Sequence, residues 1–218
     1  MKKRIIIFLG IQGSGKGTQA NILATKHHIP IIEAGELIRK EIESNSKIGK
    51  SVKSYATVGK MIPDRIFSKI IFNQIKKIGH PHNIIFDGFP RRIKQLGIIF
   101  KIKKYLEMDE IVVIHLSLSQ KIAKERIADR LICPKCENTY SKSIDKVFEC
   151  KKCHIKLEKR DDDNGKAISK RFEIYEKQTQ PVIDKLSDDN KVLEFNGAKT
   201  IKNIALEIDR SIKKVLKN

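Results

Sequence analysis

The sequence predicts an α/β fold built around a parallel sheet. Short apolar runs alternate along the chain with longer helical stretches, the pattern of parallel strands joined by right-handed helical crossovers. The runs are apolar throughout, as expected of strands that are buried on both faces. A glycine-rich turn follows the first run directly, and 218 residues suffice for one sizeable core with insertions.

Four apolar runs are predicted as strands, and a fifth, shorter run is a further candidate. The four runs span residues 3–9, 84–86, 111–118 and 192–195, and the short candidate spans 29–32. Helices are predicted at residues 16–27, 65–78, 92–107, 120–131, 168–185 and 199–216. Ser119 is the predicted N-cap of the fourth helix, because serine is favoured at that position.

Two segments interrupt this alternation. Residues 33–62 contain helical pieces at 35–39 and 50–60 but no predicted strand. Residues 129–163 contain all four cysteines and little hydrophobic periodicity. We expect both to be insertions that stand over the carboxyl ends of the strands, where such sheets bind their ligands. The core is then residues 1–32, 63–128 and 164–218.

The glycine-rich turn is a predicted phosphate site. Residues 10–18 read Gly-Ile-Gln-Gly-Ser-Gly-Lys-Gly-Thr, which departs from the generic phosphate-loop pattern because Gly17 precedes the hydroxyl residue Thr18. Glycines let the backbone N–H groups approach a polyphosphate, and the following helix presents its positive end to the same anion. Lys16 supplies a full positive charge, and the Thr18 hydroxyl is placed to lie near a magnesium ion.

The cysteines predict a metal site. Cys133-Pro-Lys-Cys136 and Cys150-Lys-Lys-Cys153 are separated by thirteen residues and match a tetrahedral zinc ribbon. With four protein ligands such a zinc is structural and stabilises a small insertion that has no core of its own. Free or oxidised thiols and covalent haem attachment at residues 150–154 are alternatives, although haem leaves Cys133 and Cys136 unexplained.

Composition and charge restrict the class of protein. A hydrophobic content of 40% with 33% charged residues predicts a soluble globular protein, and no apolar run reaches the roughly 18 residues of a membrane helix. The basic N-terminus runs into the phosphate loop and is no signal peptide, so we expect a cytoplasmic protein. The net charge of +19 is scattered over nearly every segment, which argues against nucleic acid as the main partner but favours anionic substrates.

The motifs together resemble a known family. The phosphate loop, followed by Asp87-Gly-Phe-Pro-Arg91, is similar to the nucleoside monophosphate kinases. The cysteine-bearing insertion makes the chain similar to the adenylate kinases with a long lid. The resemblance runs from Lys3 to about Leu216. It implies an α/β fold with a five-stranded parallel sheet as P-loop kinase core, a monophosphate-binding helical insertion at 33–62 and a zinc-ribbon lid at 129–163.

The resemblance also implies the reaction and its participants. The activity is reversible phosphoryl transfer from MgATP to AMP, giving two ADP by direct in-line transfer. The cofactors are Mg²⁺ bound with ATP and a structural Zn²⁺. Product release by lid opening is a plausible rate limit. The family resemblance further suggests a monomer with no membrane or nucleic-acid partner.

Functional residues are assigned by matching positions. ATP is bound by Gly13, Ser14, Gly15, Lys16, Gly17, Thr18, Arg126, Arg130, Thr139, Tyr140 and Lys199. AMP is bound by Ala34, Arg39, Lys60, Met61, Ile62, Gly88, Phe89, Pro90, Arg91, Gln95, Arg160 and Arg171. The catalytic residues are Lys16, Arg91, Arg126, Arg160 and Arg171, with Asp87 orienting magnesium-bound water. Asp162 and Asp163 help to close the lid, and Cys133, Cys136, Cys150 and Cys153 bind the metal.

Two departures from the family pattern leave alternatives open. Gln12 stands where the first loop usually has proline, with a mild expected effect. Ala34 stands where adenylate kinases usually have threonine, whose hydroxyl contacts the acceptor base. Alanine there resembles the pyrimidine monophosphate kinases, so a UMP/CMP or broad-range kinase is the second hypothesis, although Gln95 and the lid favour AMP. A third, motivated by the charge, is a zinc-ribbon nucleic-acid-binding NTPase.

Overall fold

The computed structural model describes residues 2–44, 46–57, 62–159, 163, 165–189 and 191–217. The core elements are β1 (Arg4–Gly10), α1 (Lys16–His27), β2 (Ile31–Glu33), α4 (Asp64–Ile78), β3 (Asn83–Asp87), α5 (Ile93–Tyr105), β4 (Glu110–Ser117), α6 (Gln120–Ala128), α8 (Gly165–Ile174), α9 (Gln180–Asp189), β7 (Lys191–Asn196) and α10 (Ile201–Lys217). The first insertion holds α2 (Ala34–Glu43) and α3 (Lys47–Thr57), and the second holds β5 (Arg130–Ile132), β6 (Thr139–Ser141) and α7 (Lys142–Asp145). A π-helical turn, Tyr175–Thr179, joins α8 to α9.

The five core strands form one parallel sheet in the order β2-β3-β1-β4-β7. The predicted fold class is thereby confirmed. Strand β1 is central and buried along its whole length, with Ile6 opposite Ile85 on one side and Val112 on the other. Its position explains why every residue of this strand except Arg4 and Gly10 is apolar, since both of its faces are covered.

Helices cover both faces of the sheet, and successive β1 residues point to opposite faces. Ile5 and Ile7 belong to a core layer that includes residues of α4, α5 and α9, among them Ile71, Ile99 and Val182. Ile6 and Phe8 belong to the other layer, with residues of α1 and α10 such as Leu23 and Ile208. The phosphate loop therefore emerges from the best-buried strand of the molecule, which fixes its position.

Several helix and strand boundaries differ from the prediction by a few residues, as three helices illustrate. Helix α6 ends at Ala128 rather than residue 131, because Arg130 starts a strand that pairs with β6. The helix predicted at 168–185 contains the π-helical turn, which ends two residues before Pro181 in α9. Proline lacks an N–H and its ring crowds the carbonyl four residues earlier, so widening the turn relieves the clash. Helix α10 begins at Ile201 instead of 199.

The second insertion is a small sheet with its own core. Strands β5 and β6 are antiparallel, and isolated bridges join Ile132 to Glu158 and Glu149 to Lys156. Half of its core residues are the four cysteines, and the others include Tyr140 and Leu157, so few apolar residues stabilise it. Ser119 caps α6 as predicted, accepting from the N–H of Ile122 at 3.4 Å. Within the described residues, every helix is too short or too polar to cross a membrane.

Candidate active site

The phosphate loop connects β1 to the first turn of α1. Gly13 and Gly15 have φ of 83° and 89°, in the left-handed region that glycine adopts without strain. A Cβ on Gly13 would lie 2.8 Å from the carbonyl oxygen of Ala123, so the loop also packs directly on α6. Lys16 and Thr18 both lie in the first turn of α1. Gly15 is the N-cap residue of this helix, and it has no side chain that could accept hydrogen bonds from the first N–H groups of α1. The buried Ser14 hydroxyl has no hydrogen-bond partner among the described residues.

Two carboxylates stand at the carboxyl ends of the neighbouring strands β2 and β3. Glu33 and Asp87 are paired in register. A Cβ on Gly17 would lie 3.0 Å from Asp87 Oδ2 and 3.8 Å from Glu33 Oε1, so both carboxylates face the start of α1. Burial, a hydrogen bond to Glu36 and the charge of Asp87 raise the pKa of Glu33 to about 7. Carboxylate oxygens are the kind of ligand that Mg²⁺ prefers in proteins.

The Asp-Gly-Phe-Pro-Arg turn folds an arginine back over a glycine. Arg91 Nε donates to the carbonyl of Gly88 at 2.7 Å, and a Cβ on Gly88 would lie 3.0 Å from Arg91 Nη2. The Gly88 N–H donates to the carbonyl of Phe8 at 3.3 Å, which ties the turn to β1. The Phe89–Pro90 peptide is cis, and the Phe89 ring is buried against Phe67 at 5.1 Å. Any contact of Phe89 with a nucleotide therefore comes through its backbone.

Gln95 is oriented by two hydrogen bonds. Its Oε1 accepts from the N–H of Arg91 at 2.8 Å, and its Nε2 donates to Asp64 Oδ1 at 3.0 Å. Asp64 is in turn ion-paired with Arg92, whose Nη2 also donates to the carbonyl of Ile62 at 3.1 Å. Sequence reasoning missed Asp64 and Arg92, which sit one turn from predicted site residues but carry no motif of their own.

Arg126 joins two of the segments assigned to ATP. Its Nη1 donates to the carbonyl of Gly197 at 2.7 Å and contacts that of Gly13 at 3.5 Å. Its Nη2 contacts the carbonyl of Ala198 at 3.4 Å, next to Lys199. The guanidinium thus bridges the phosphate loop and the β7–α10 loop.

Asp163 brings together two more of the predicted arginines. Arg130 binds its carboxylate through Nε at 2.8 Å and Nη2 at 2.6 Å, and Arg171 Nη1 lies 3.6 Å from its Oδ1. Arg171 Nη1 also contacts Oε1 of Gln12 at 3.4 Å, so the residue that replaces the family's proline reaches a predicted catalytic side chain. Arg130 of β5 and Arg171 of α8 therefore converge on Asp163, and Arg171 also reaches the phosphate loop.

The remaining predicted residues that the structure describes lie on α2, in the core and in the lid. Ala34 is buried at the start of α2, and Ile62 lies in the main core. Arg39 of α2 pairs with Glu137, a lid residue that the sequence did not single out. Tyr140 is part of the lid core, where its hydroxyl donates to Cys150 Sγ at 3.3 Å, so an ATP contact there falls to its backbone. Lys60, Met61, Arg160 and Asp162 lie outside the described residues.

The side chains of the four cysteines converge on one point in the lid. Their Sγ atoms all lie within 4.8 Å of one another, with 3.5 Å between those of Cys136 and Cys150. Tetrahedral zinc with Zn–S bonds of about 2.3 Å spaces its sulfurs by about 3.8 Å, so the residues fit that ion. The two knuckles form the same kind of turn. The N–H of Glu137 donates to the backbone carbonyl of Cys133 at 2.9 Å, and the N–H of His154 donates to that of Cys150 at 2.8 Å.

The phosphate loop on the central strand therefore faces a compact arginine turn on the adjacent strand. The first carries Lys16 and the second carries Arg91, residue types that bind phosphate groups in proteins. This is the arrangement of a nucleoside monophosphate kinase of the P-loop class.

The chain belongs to the adenylate kinase family. The family model described as Adenylate kinase matches residues 8–191. An adenylate kinase of Alkaliphilus oremlandii is 32% identical over 210 residues, covering 95% of this chain and 97% of that protein. An adenylate kinase of Thermoanaerobacter sp. (strain X514) is 33% identical over 214 residues, with 95% and 97% covered. One from Listeria monocytogenes is 29% identical over 208 residues, with 94% and 97% covered.

Proposed function

We propose that this protein catalyses the reversible transfer of the terminal phosphoryl group of MgATP to AMP, giving two ADP. The observation that carries the proposal is the contact between the phosphate loop and Asp87, where the β-carbon of any residue replacing Gly17 would lie 3.0 Å from the carboxylate. Strands β1 and β3 are neighbours in the sheet, so a donor in the loop and an acceptor at Arg91 meet at one edge.

The donor site is built from the loop and two arginines. Gly13 to Thr18 supply N–H groups, the Lys16 ammonium and the Thr18 hydroxyl to the ATP phosphates. Arg126 supports this assignment by holding the phosphate loop and the loop before Lys199 together. Arg130 and the lid residues Thr139 and Tyr140 complete the site. Mg²⁺, when bound with ATP near Thr18 and Asp87, neutralises part of the polyphosphate charge.

The acceptor site is built from α2 and the Arg91 turn. Arg39, Arg91 and the backbone at residues 60–62 and 88–90 surround the monophosphate, and Gln95 hydrogen-bonds the adenine edge. Ala34 offers no hydroxyl to the base, and one missing hydrogen bond weakens discrimination by about 1 kcal/mol. We therefore expect AMP to be the preferred acceptor, with pyrimidine monophosphates rejected less strictly. The family membership of the chain favours AMP over UMP or CMP.

The transfer step depends on positioning and charge rather than on a general base. An acceptor phosphate is ionised near neutral pH and attacks the γ-phosphorus directly when the two are held in line. Arg91, Arg126, Arg160 and Arg171 surround the transferred group with guanidinium forks, which bind phosphate oxygens bidentately and remain charged. Until nucleotide binds, Asp163 neutralises Arg130 and Arg171. Closure of the lid, helped by Asp162 and Asp163, excludes water as a competing acceptor.

The four cysteines hold a structural zinc ion in the lid. Their close approach supports this, since four sulfur atoms at these distances match the tetrahedral set of thiolates that binds Zn²⁺. Because all four positions are protein ligands, the ion takes no part in the transfer. Metal analysis after gel filtration is the test, and the same experiment reports whether the protein is the expected monomer.

A coupled assay with MgATP and one acceptor at a time tests the proposed activity. AMP should be the best acceptor among AMP, UMP, CMP, GMP and water. A preference for UMP would favour the pyrimidine kinases, and hydrolysis stimulated by nucleic acid without transfer would favour an NTPase. Lys16→Met should abolish transfer while leaving the fold intact, as judged by circular dichroism. Transfer at the wild-type rate in that variant would contradict the assignment of the loop.

A further inference from the structure

The loop between β7 and α10, residues 197–200, rests against the phosphate loop. The N–H of Gly197 donates to the carbonyl of Ser117 at 2.8 Å. A Cβ on Gly197 would lie 3.0 Å from the backbone oxygens of Ser117 and of Ser14, which belongs to the phosphate loop. A side chain at residue 197 would crowd both oxygens, so the β7–α10 loop begins in direct contact with the phosphate loop.

Gln19 of α1 holds the opposite end of the β7–α10 loop. Gln19 is 2% exposed, and its Nε2 donates to the carbonyl of Ile201 at 2.9 Å. Ile201 is the first residue of α10 and lies 182 positions further along the chain. The N–H of Gln19 donates to the carbonyl of Gly15 at 3.0 Å, so this side chain starts one helical turn after the phosphate loop. Both ends of the β7–α10 loop therefore contact the segment formed by the phosphate loop and α1.

Polar contacts join α1 to α10 near both ends of their interface. The Gln19 amide lies at the start of α10, whereas His27 Nε2 lies 2.8 Å from Asp209 Oδ1 further along that helix. Apolar residues such as Leu23 and Ile208 pack between these two contacts. A narrow crevice lined in part by Gln19 and Leu23 lies between the two helices. Apolar packing is therefore incomplete next to the Gln19 amide, and its hydrogen bond fixes the start of α10.

The Gln19 amide is attached through one of its two polar atoms. Its Oε1 is buried and has no hydrogen-bond partner among the residues that the structure describes. A buried acceptor without a partner costs free energy on folding, which offsets much of what the Nε2 hydrogen bond contributes to stability. We therefore expect this side chain to affect the position of the Ile201 carbonyl more than the global stability.

We propose that Gln19 is a positioning residue for recognition of the donor's base. The inference rests on the proposed function, in which the backbone near Lys199 contacts the base of ATP. Adenine carries an amino group where guanine carries a carbonyl oxygen, so a backbone carbonyl accepts a hydrogen bond from the first and repels the second. This distinction is sharp only when the backbone is held in place before the nucleotide binds. Gln19 supplies that restraint two residues after Lys199.

Steady-state transfer to AMP, with ATP or GTP as the donor, tests this positioning. Gln19→Met fills the same space without a hydrogen-bond donor, and Gln19→Asn keeps the amide but is one methylene too short to reach the Ile201 carbonyl. The ratio of kcat/KM for ATP to kcat/KM for GTP should fall about fivefold in both variants, the factor expected for one misaligned hydrogen bond. The fall should come from a higher KM for ATP, with kcat at saturating ATP within about twofold of the wild type.

His27→Leu is the matched control, because it removes the polar contact at the other end of the same interface. Asp209 remains paired with Lys26 and Lys213 in that variant, so its buried charge keeps its partners. We expect the wild-type ratio of the two donors in His27→Leu. A ratio that stays at the wild-type value in either Gln19 variant would overturn the proposal, as would an equal fall in His27→Leu.

Amide hydrogen exchange tests the restraint without reference to activity. The N–H groups of Asn203 and Ile204 donate to Thr200 at 3.3 and 3.1 Å, so their exchange reports on the first turn of α10. Both should exchange faster in Gln19→Met, while exchange in β7 stays as in the wild type. Unchanged exchange at these two amides would refute the restraint.

The proposed function and this inference fail in different ways. A wild type that transfers to AMP but uses ATP and GTP equally well would refute the role of Gln19 alone. A wild type that transfers no phosphoryl group to AMP from either donor would refute the proposed function, and the two results are distinguishable in the same assay.

Discussion

The hydroxyl of Thr179 donates to the backbone carbonyl of Arg91 at 3.3 Å. Thr179 is the last residue of the π-helical turn, and Arg171 lies on the helix that leads into this turn. The widened turn before Pro181 thus rests on the Asp-Gly-Phe-Pro-Arg segment. Thr179 thereby connects the segment that contains Arg91 to the helical run that contains Arg171, two arginines assigned to the transferred phosphoryl group.

Thr179→Val should slow phosphoryl transfer with little effect on folding. Valine keeps the shape but removes the hydroxyl, which costs about 1 kcal/mol and frees the Arg91 turn to shift. We expect kcat to fall by about five- to tenfold, with KM for ATP nearly unchanged. Thr179→Ser restores the hydroxyl and should restore kcat in a steady-state assay. Equal kcat for the valine and serine variants would argue against this role.

Asp64→Asn should weaken acceptor binding selectively. The Asp64 carboxylate accepts from Gln95 Nε2 at 3.0 Å and pairs with Arg92, so together with the Arg91 N–H it fixes which way the Gln95 amide points. Without that charge the amide is held less firmly, and the group assigned to the adenine edge is less well oriented. KM for AMP should rise about fivefold while KM for ATP stays constant. A rise in both constants would indicate a general disturbance of the site.

The buried His115 predicts a loss of stability at mildly acidic pH. Its Nε2 lies 3.1 Å from the Tyr175 hydroxyl, and burial lowers the pKa of His115 despite the opposing charges of Glu194 and Asp184. The unfolded chain therefore binds a proton near pH 6.5 that the folded protein binds only at lower pH, so stability falls as pH drops below 6.5. Urea unfolding at pH 8, 6.5 and 5 should show this fall. His115→Gln should flatten it over that interval.

Two glycine replacements should act in opposite directions. Gly97 lies inside α5, and a Cβ there would contact nothing within 4 Å, so Gly97→Ala should add about 0.5–1 kcal/mol of stability. Gly13→Ala forces a side chain into a φ of 83° and against the Ala123 carbonyl. It should destabilise the protein by about 1–2 kcal/mol and lower kcat/KM for ATP. Thermal unfolding of both variants, with the wild type alongside, is the measurement.

Removal of metal should unfold the lid and leave the sheet intact. The four cysteines make up half of the small lid core, which also includes Tyr140 and Leu157, whereas β1 is buried between two helical layers. After chelation, amide exchange should become fast over residues 129–159 and remain slow in β1. Transfer activity should fall because an unfolded lid no longer excludes water. Persistent protection of the lid amides in metal-free protein would show that the thiols are not its main support.

Much of the fold and part of the site follow from short-range patterns. The five strands are encoded by local apolar runs, and the phosphate loop and cysteine pairs by spacing within a few residues. The ends of helices and strands do not follow from the local pattern where pairing with another segment overrides it. Arg130, for example, does not continue helix α6, because it pairs with Ser141 in the lid sheet. Such pairing depends on residues that are distant in sequence.

The sequence by itself determined the sheet, the position of the phosphate loop and the convergence of metal-binding residues, because each rests on local periodicity or spacing. Only the tertiary structure decided which long side chains meet. Gln12 with Arg171, Thr179 with Arg91 and Arg39 with Glu137 are contacts between residues 88 to 159 positions apart. Flexible polar side chains reach many alternative partners, and the choice among these is made by how the insertions pack over the sheet.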